Sequence, residues 1–153
     1  MSIDEIFNRQ RSLFKNLSLK NIEFLDGFLP FFTEVKGHKL KTGIATNATS
    51  KTVLVIAEAL SLEKLFGKHI YTISDVKHIS KPDPTLYLHA AEKLSAAPNR
   101  CIAIEDSPCG IAAAKNAGMF CIGLNSAGIK EKLAMADMIV DTYSEINLPH
   151  LLI

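Results

Sequence analysis

The chain has 153 residues, the length of one domain, with 48% hydrophobic residues, 22% charged residues and a net charge of +1. This is the balance of an ordinary globular domain, and the near-neutral charge gives no indication of a nucleic acid or membrane partner. The three cysteines lack metal-site spacing and, being odd in number, cannot all pair with one another, so we expect a reducing compartment, most simply the cytoplasm.

The first 25 residues differ in pattern from the rest of the chain. Their apolar residues recur at a helical spacing, which predicts one or two helices before an α/β alternation that begins near Asp26. These apolar residues are Ile3, Ile6, Phe7, Leu13, Phe14 and Leu17. The segment either covers the sheet or belongs to a separate upstream domain.

Short apolar runs alternate with helical periods along the rest of the chain, and this order predicts parallel strands joined by crossover helices. The runs are mostly apolar on both faces, which is typical of a sheet covered by helices on each side. The predicted strands are Lys39–Thr46, His69–Ile73, Cys101–Glu105, Met119–Leu124 and Met138–Val140.

Three predicted helices carry start signals. Ser50 precedes an apolar face of Val53, Ala57 and Leu60, and Asp83-Pro84 precedes a stripe of Leu86, Ala90, Ala91 and Leu94. Ser107-Pro108 starts the third helix, where Ile111, Ala114 and Ala117 form a small-residue face and Gly118 is the C-terminal cap.

Polar residues stand where ligands bind in parallel α/β sheets, at the carboxyl ends of strands. Thr46 and Asn47 follow the first strand and either hold an oxyanion or lie in a loop whose helix is capped by Thr49 or Ser50. Lys81, before a proline, either neutralises a phosphoryl group or is a solvated lysine. Glu105 and Asp106 end a buried strand and either bind Mg²⁺ or favour a helix N-terminus.

The order of these signals resembles that of the haloacid dehalogenase (HAD) superfamily, from roughly Asp26 to Asp141. The similarity is greatest to the β-phosphoglucomutase and phosphoglycolate phosphatase-like subgroup. The resemblance implies a Rossmann-like three-layer parallel sheet. It also implies that Thr46, with Asn47 beside it, hydrogen-bonds the transferring phosphoryl group, that Lys81 steadies the nucleophile and phosphate, and that Glu105 and Asp106 hold Mg²⁺.

One family motif has no match in the chain. The family's first strand ends in Asp-x-Asp-Gly-Thr/Val, whose first aspartate is the nucleophile, and the nearest string here is Phe24-Leu25-Asp26-Gly27. Residues 1–25 then resemble the helical remnant of a cap, and residues 26–153 a HAD-like core without its usual first strand. That strand would lie between the strands ending at Thr46 and Glu105, so we expect two unpaired edges and self-association through them.

The resemblance implies a Mg²⁺-dependent phosphatase or phosphomutase acting on a small sugar phosphate or similar phosphorylated metabolite. We expect no nucleic acid or membrane partner. Because the nucleophile motif is absent from these residues, we expect a truncated, catalytically impaired chain. The alternative is an inactive HAD-like domain that binds phosphate or a partner.

Overall fold

A computed structural model describes residues 22–152. The helices are α1 (Phe28–Gly37), α2 (Ser50–Leu60), α3 (Leu62–Phe66), α4 (Thr85–Lys93), α5 (Pro108–Asn116) and α6 (Leu148–Leu151), and the strands are β1 (Ile44–Thr46), β2 (Ile70–Thr72), β3 (Ile102–Glu105), β4 (Phe120–Leu124) and β5 (Met138–Val140). The helices predicted within residues 1–21 lie outside the described residues, and residues 22–25 have no regular secondary structure. The division at residue 25 therefore stays a prediction.

The strands form two parallel sheets. β1 pairs with β2, with Ile44 opposite Ile70. β3, β4 and β5 pair in that order, with Ile102 opposite Phe120 and Ile122 opposite Met138. Within residues 22–152, β1 and β3 do not pair with each other. The predicted Rossmann-like α/β class is confirmed, and the inner edges of β1 and β3 are open in the described chain.

β1 is shorter than the predicted strand Lys39–Thr46. Only three residues of β2 are in register with it, so residues 40–43 have no strand to pair with on that side. Lys39 has a left-handed backbone, with φ of 56°, which extended structure does not tolerate. The apolar pattern therefore predicted the position of the strand correctly but not its start.

The small-residue face of α5 packs directly on the larger sheet. Ile111 and Ala114 are fully buried and contact a cluster that includes Ala103 on β3 and Cys121 on β4. The predicted start and end of this helix are confirmed, because the Ser107 hydroxyl accepts a hydrogen bond from a backbone N–H in the first turn and Gly118 follows the helix with φ of 78°. This close approach holds α5 against the carboxyl end of β3.

Aromatic residues of α1 connect the two sheets. Phe28 lies 5.3 Å, centroid to centroid, from Tyr143, which follows β5, and Phe32 lies 5.0 Å from Phe66, which precedes β2. Edge-to-face and tilted aromatic pairs at these separations contribute more than their buried area alone. Within the described residues, α1 is thus one of the elements that connect the two sheets, which do not pair strand to strand.

Two other predicted helix details differ from the structure. α2 has no fully buried residue, and its predicted apolar face is only half-buried. At α4 the helix begins at Thr85 rather than at Pro84, although Asp83 still accepts a hydrogen bond from the Thr85 N–H at 2.9 Å. The prediction that Asp83 precedes a helix was therefore correct, but the predicted first helical residue was one position too early.

The three cysteines are free thiols. Cys121 is fully buried, and burial together with the nearby Glu105 carboxylate raises the pKa of its thiol to about 11, so the group stays neutral.

In the part of the chain that the structure describes, every helix is too short or too polar to cross a bilayer.

Asp137 joins α5 to β4 and allows a stability prediction. Its carboxylate accepts a hydrogen bond from the Cys121 N–H at 2.7 Å and one from Lys115 at 2.5 Å, and these bonds lower its pKa. We expect Asp137→Asn to lower the free energy of unfolding by about 1 kcal/mol at neutral pH. A group with a lowered folded-state pKa stabilises above its unfolded pKa, so the loss should be constant above about pH 5 and shrink as the pH falls below about 4.

Urea unfolding of the parent and variant chains between pH 3 and pH 8 measures this difference. The control is Asp141→Asn, whose carboxylate forms a more exposed ion pair with Lys130. A difference for Asp137→Asn that grows on acidification would contradict the assignment.

Candidate active site

The polar residues that follow β1 and β3 meet in one open cavity of about 460 Å³. All of the predicted site residues line it. The lining residues are Leu25, Ile44, Ala45, Thr46, Asn47, Lys81, Tyr87, Ile104, Glu105, Asp106, Ser107, Leu124 and Tyr143. Parallel strands bring their carboxyl ends to one edge of a sheet, which explains why residues far apart in the chain meet here.

Lys81 is held in place at this cavity. Its side chain is only 8% exposed, its ammonium forms an ion pair with Glu105, and it donates a hydrogen bond to the Ala45 carbonyl at 2.9 Å. The ammonium also lies 4.6 Å from the centroid of the Tyr87 ring. Lys81 is therefore not a solvated surface lysine, and its charge is fixed between the ends of β1 and β3.

The loop that carries Lys81 is tied to the end of β1 by Asn47. The Lys81 N–H donates to Asn47 Oδ1 at 2.9 Å, and the Asn47 amide group lies 3.5 Å from the Lys81 carbonyl. The amide therefore sets where the lysine enters the cavity. This role is in addition to any direct contact of the exposed Asn47 side chain with a ligand.

Glu105 is buried, and its carboxylate is shared between two donors. The Tyr87 hydroxyl donates to Glu105 Oε1 at 2.5 Å, beside the contact from Lys81. Burial, with a further effect of the Glu105 charge, raises the pKa of Tyr87 far above its usual value, so the hydroxyl stays protonated and keeps donating. The other carboxylate oxygen, Glu105 Oε2, accepts only a long hydrogen bond from the Ser107 hydroxyl, at 3.5 Å.

Gly110 makes room for this carboxylate. A methyl group added at Gly110 would overlap the Glu105 side chain, which is fixed by Lys81 and Tyr87 and cannot turn away. We expect Gly110→Ala to lower the free energy of unfolding by about 1–3 kcal/mol, as overpacking of a fixed site does.

Urea or thermal unfolding tests this expectation. The matched control is Gly37→Ala, since a methyl group there meets no other atom within 4 Å. Equal stability of the two variants would show that Glu105 is free to move.

Thr46 presents a hydroxyl to the cavity. Its Oγ1 accepts a hydrogen bond from the Ala48 N–H at 3.1 Å, which fixes the oxygen and leaves its hydrogen to donate to a bound anion. The adjacent helix is capped by Thr49, which accepts from the Thr52 N–H at 3.4 Å, whereas the Ser50 hydroxyl pairs with Thr72 at 3.1 Å. Capping therefore does not use Thr46.

Asp106 differs from Glu105 in its surroundings. It is exposed, lines the cavity, and forms no side-chain hydrogen bond or ion pair with any residue among 22–152. No cluster of three or more acids, histidines or cysteines able to hold a metal occurs in that range. Mg²⁺ often takes only one or two carboxylates and fills its other positions with water and phosphate oxygens. Asp106, which lines the same cavity as Glu105, fits such a partial ligand set.

Tyr87 lines the cavity and contacts Glu105, but it was not among the site residues predicted from the sequence. The predicted stripe on α4 left it out, although Tyr87 is spaced four residues before Ala91 and so lies on the same helical face. That spacing was the available signal. Its importance comes from the contact with Glu105, which is distant in the chain and could not be read from the pattern of α4.

Comparison with known proteins agrees with this geometry. The model of the haloacid dehalogenase-like hydrolase family matches residues 4–118. The chain belongs to this family. The resemblance stated from the sequence is thereby confirmed.

Two curated relatives and one solved structure illustrate the similarity. The chain is 32% identical over 130 residues to validoxylamine A 7'-phosphate phosphatase of Streptomyces hygroscopicus subsp. limoneus, covering 83% of this HAD-like chain and 59% of the relative. It is 32% identical over 126 residues to β-phosphoglucomutase of Bacillus subtilis, covering 82% and 53%. A putative β-phosphoglucomutase structure from Thermotoga maritima aligns with a TM-score of 0.88 at 27% identity, covering 100% of this chain and 72% of that one. The HAD-like chain thus spans little more than half the length of these two curated relatives.

Proposed function

We propose that this chain forms the phosphate- and Mg²⁺-binding part of a phosphatase or phosphomutase that acts on a small sugar phosphate or similar phosphorylated metabolite. The observation that carries the proposal is the meeting of Lys81, Thr46 and Asp106 in one open cavity. A fixed cation, a hydroxyl donor and a free carboxylate are the groups needed to bind a phosphoryl group together with a metal ion. The names of two curated relatives, validoxylamine A 7'-phosphate phosphatase and β-phosphoglucomutase, support a phosphorylated small molecule as the substrate class.

In the proposed mechanism, the residues of the chain act by positioning and by charge. Lys81 offsets the negative charge of the phosphoryl oxygens, and Thr46 donates a hydrogen bond to one of them. Glu105 and Tyr87 are positioning residues, because they hold the Lys81 ammonium in the wall of the cavity. Asp106 would hold Mg²⁺ with Glu105, and the bound ion would neutralise further charge on the phosphate.

In the family, the covalent step uses the first aspartate of the Asp-x-Asp-Gly-Thr/Val motif. These 153 residues do not contain that motif. Asp26-Gly27 is preceded by Phe24 and Leu25, so a phenylalanine stands where the nucleophile belongs. We therefore expect phosphate binding by this chain on its own, with negligible turnover. A second candidate function, a HAD-like domain that binds phosphate or a partner and does no chemistry, rests on the same observation.

The two functions are separated by an assay. Phosphate release from p-nitrophenyl phosphate is measured with Mg²⁺ present, for this chain and for the same chain extended by any coding sequence found upstream. Turnover that appears only in the extended protein supports the enzyme. Robust Mg²⁺-dependent turnover by the chain itself would contradict the expected dependence on a further aspartate.

Phosphate binding itself tests the role of Thr46. We expect Thr46→Val to weaken the affinity for inorganic phosphate by about tenfold, since a hydrogen bond to a charged group contributes about 1.5 kcal/mol. Calorimetric titration in the presence of Mg²⁺ measures the effect. Thr33→Val on the exposed face of α1 is the control, because that hydroxyl bonds to the Leu29 carbonyl within its own helix. Unchanged affinity in both variants would exclude Thr46 as a phosphate ligand.

A further inference from the structure

A second polar cavity lies at the opposite end of β1 and β2 from the candidate active site. Its volume is about 640 Å³, and none of residues 22–152 lines both this cavity and the active-site cavity. Lys41, Thr42 and His69 line it just before β1 and β2 begin, whereas Thr46, at the end of β1, lines the active site. We call this space the amino-end cavity.

The lining of the amino-end cavity is strongly basic. Of the 17 lysines and arginines in the chain, five line it, and within residues 22–152 no aspartate or glutamate does. Because the whole chain has a net charge of only +1, this concentration of positive charge is local. The five residues, which come from the end of α1 and the turn after it, the loop before β2 and the last turn of α4, are Lys36, Lys39, Lys41, Lys68 and Lys93.

Helix ends account for only part of this charge. The helices α1, α3 and α4 all end at the cavity, and the C-terminus of a helix carries about −0.5 of an elementary charge. Lys41 neutralises one such end, because its ammonium donates a hydrogen bond to the Leu94 carbonyl at 2.8 Å. Three helix ends offset at most about 1.5 of the five positive charges, which leaves a net charge of about +3.5 in the cavity.

The other four lysines of the cavity have no acidic partner in the described chain. Within residues 22–152, the ion pairs are those of Lys81, Lys115 and Lys130, none of which lines this cavity. Two backbone donors add to the positive lining, since the N–H groups of Thr42 and Lys68 form no hydrogen bond within the same range. The cavity therefore offers ammonium and amide donors to an anion.

We propose that the amino-end cavity is an anion site, separate from the active site, that binds a small molecule carrying a diphosphate group. Each phosphate carries about −1.5 to −2 charges at neutral pH, so two phosphates balance a net charge of about +3.5 and one does not. Leu65, Phe66 and Leu94 also line the cavity and provide apolar contacts for the rest of such a molecule. The proposal rests on the charge of this cavity and not on the proposed catalytic function.

An extended polyanion fits this surface less well. Glu34, Glu63 and Glu92 lie on the same three helices but do not line the cavity, so acidic residues interrupt the basic surface on each helix. Even a small nucleic-acid-binding module buries about 600–1,000 Å² of protein surface, so a polymer would extend beyond the cavity and over these carboxylates. A diphosphate is small enough to stay among the lysines.

Calorimetric titration with inorganic pyrophosphate in the absence of Mg²⁺ tests the proposal. We expect the double variant Lys39→Gln with Lys68→Gln to weaken the affinity by about tenfold, since two charge contacts are lost. The matched control is Lys77→Gln with Lys132→Gln, because both lysines are exposed and line neither cavity. The control should bind like the parent chain, and circular dichroism checks that both double variants are folded.

Two further measurements separate this site from the active site. On addition of pyrophosphate, the amide resonances of Thr42 and Lys68 should shift in nuclear magnetic resonance spectra. Thr46→Val should leave the affinity for pyrophosphate unchanged, and the Lys39 and Lys68 double variant should leave Mg²⁺-dependent binding of inorganic phosphate unchanged. Failure of the amino-end site is thus distinguishable from failure of the proposed function.

Titration with ADP identifies the source of the diphosphate. Tighter binding of ADP than of pyrophosphate assigns the site to a nucleoside diphosphate, and equal or weaker binding assigns it to free pyrophosphate. Four results overturn the proposal: no binding of pyrophosphate at millimolar concentration, equal affinities of the double variant and its control, equal affinities for pyrophosphate and monophosphate, and tighter binding of a single-stranded RNA than of pyrophosphate.

Discussion

A Lys81→Met variant is expected to lose about 3–5 kcal/mol of the free energy of unfolding, because it leaves the buried carboxylate of Glu105 without its ion-pair partner. Glu105 is 9% exposed, so water cannot replace the lost ammonium. The Ala45 carbonyl and the Tyr87 ring lose the same contact. The effect should be measured by urea unfolding at neutral pH.

A double variant separates loss of the ion pair from loss of packing. Adding Glu105→Gln to Lys81→Met removes the uncompensated charge, so it should restore much of the lost stability. Lys130→Met is the control, because its ion pair with Asp141 is exposed and should contribute very little. If Lys81→Met and Lys130→Met had equal stability, Lys81 would not be held as the structure indicates.

The second large effect is expected at Asp106. Asp106→Asn should weaken Mg²⁺ binding in the presence of inorganic phosphate by about 100-fold, since loss of even an outer partner of a metal ligand costs 10- to 100-fold, as a rough guide. The reason is that Asp106 lines the cavity and has no side-chain partner among residues 22–152, whereas Glu105 is already shared by Lys81 and Tyr87.

Titration with Mg²⁺, or with Mn²⁺ followed by water proton relaxation, measures this affinity. Asp83→Asn is the matched control, because its carboxylate bonds to Thr85 at the start of α4 and does not line the cavity. Asp106→Asn should also abolish any Mg²⁺-dependent increase in phosphate affinity while leaving stability nearly unchanged. Equal Mg²⁺ affinity of the two variants would move the metal site away from Asp106.

These predictions differ in how much of their basis was visible in the sequence. The positions of Thr46, Lys81 and Asp106 at strand ends and loop–helix junctions followed from apolar runs bounded by Pro, Ser and Asp. Such signals are strong because the hydrophobic pattern of a strand, a helix cap and a proline each depend on residues that are close together in the chain. The predicted start of β1 was wrong because the length of a strand depends on a partner that is distant in the chain. β2 pairs with only three residues of β1, so the strand begins at Ile44.

Glu105 shows where local reasoning fails. The sequence presented two adjacent acids as an equivalent metal pair, but alternation along β3 turns Glu105 inward onto Lys81 and Tyr87, while Asp106 remains exposed in the cavity. Sequence spacing cannot predict which oxygen is taken by a lysine 24 residues away. The assignment of Glu105 as a metal ligand therefore stays a prediction, with only its Oε2 weakly engaged.

The sequence by itself determined the parallel α/β class, the family and the residues that meet at the carboxyl edge of the sheet, because periodicity, caps and motif order are local properties of the chain. Tertiary structure decided the rest, namely the burial of Lys81 between Ala45 and Glu105 and the hydrogen bond from Tyr87 to Glu105. These depend on contacts between residues distant in the chain. Their geometry is set by how helices and sheets pack, which no local pattern encodes.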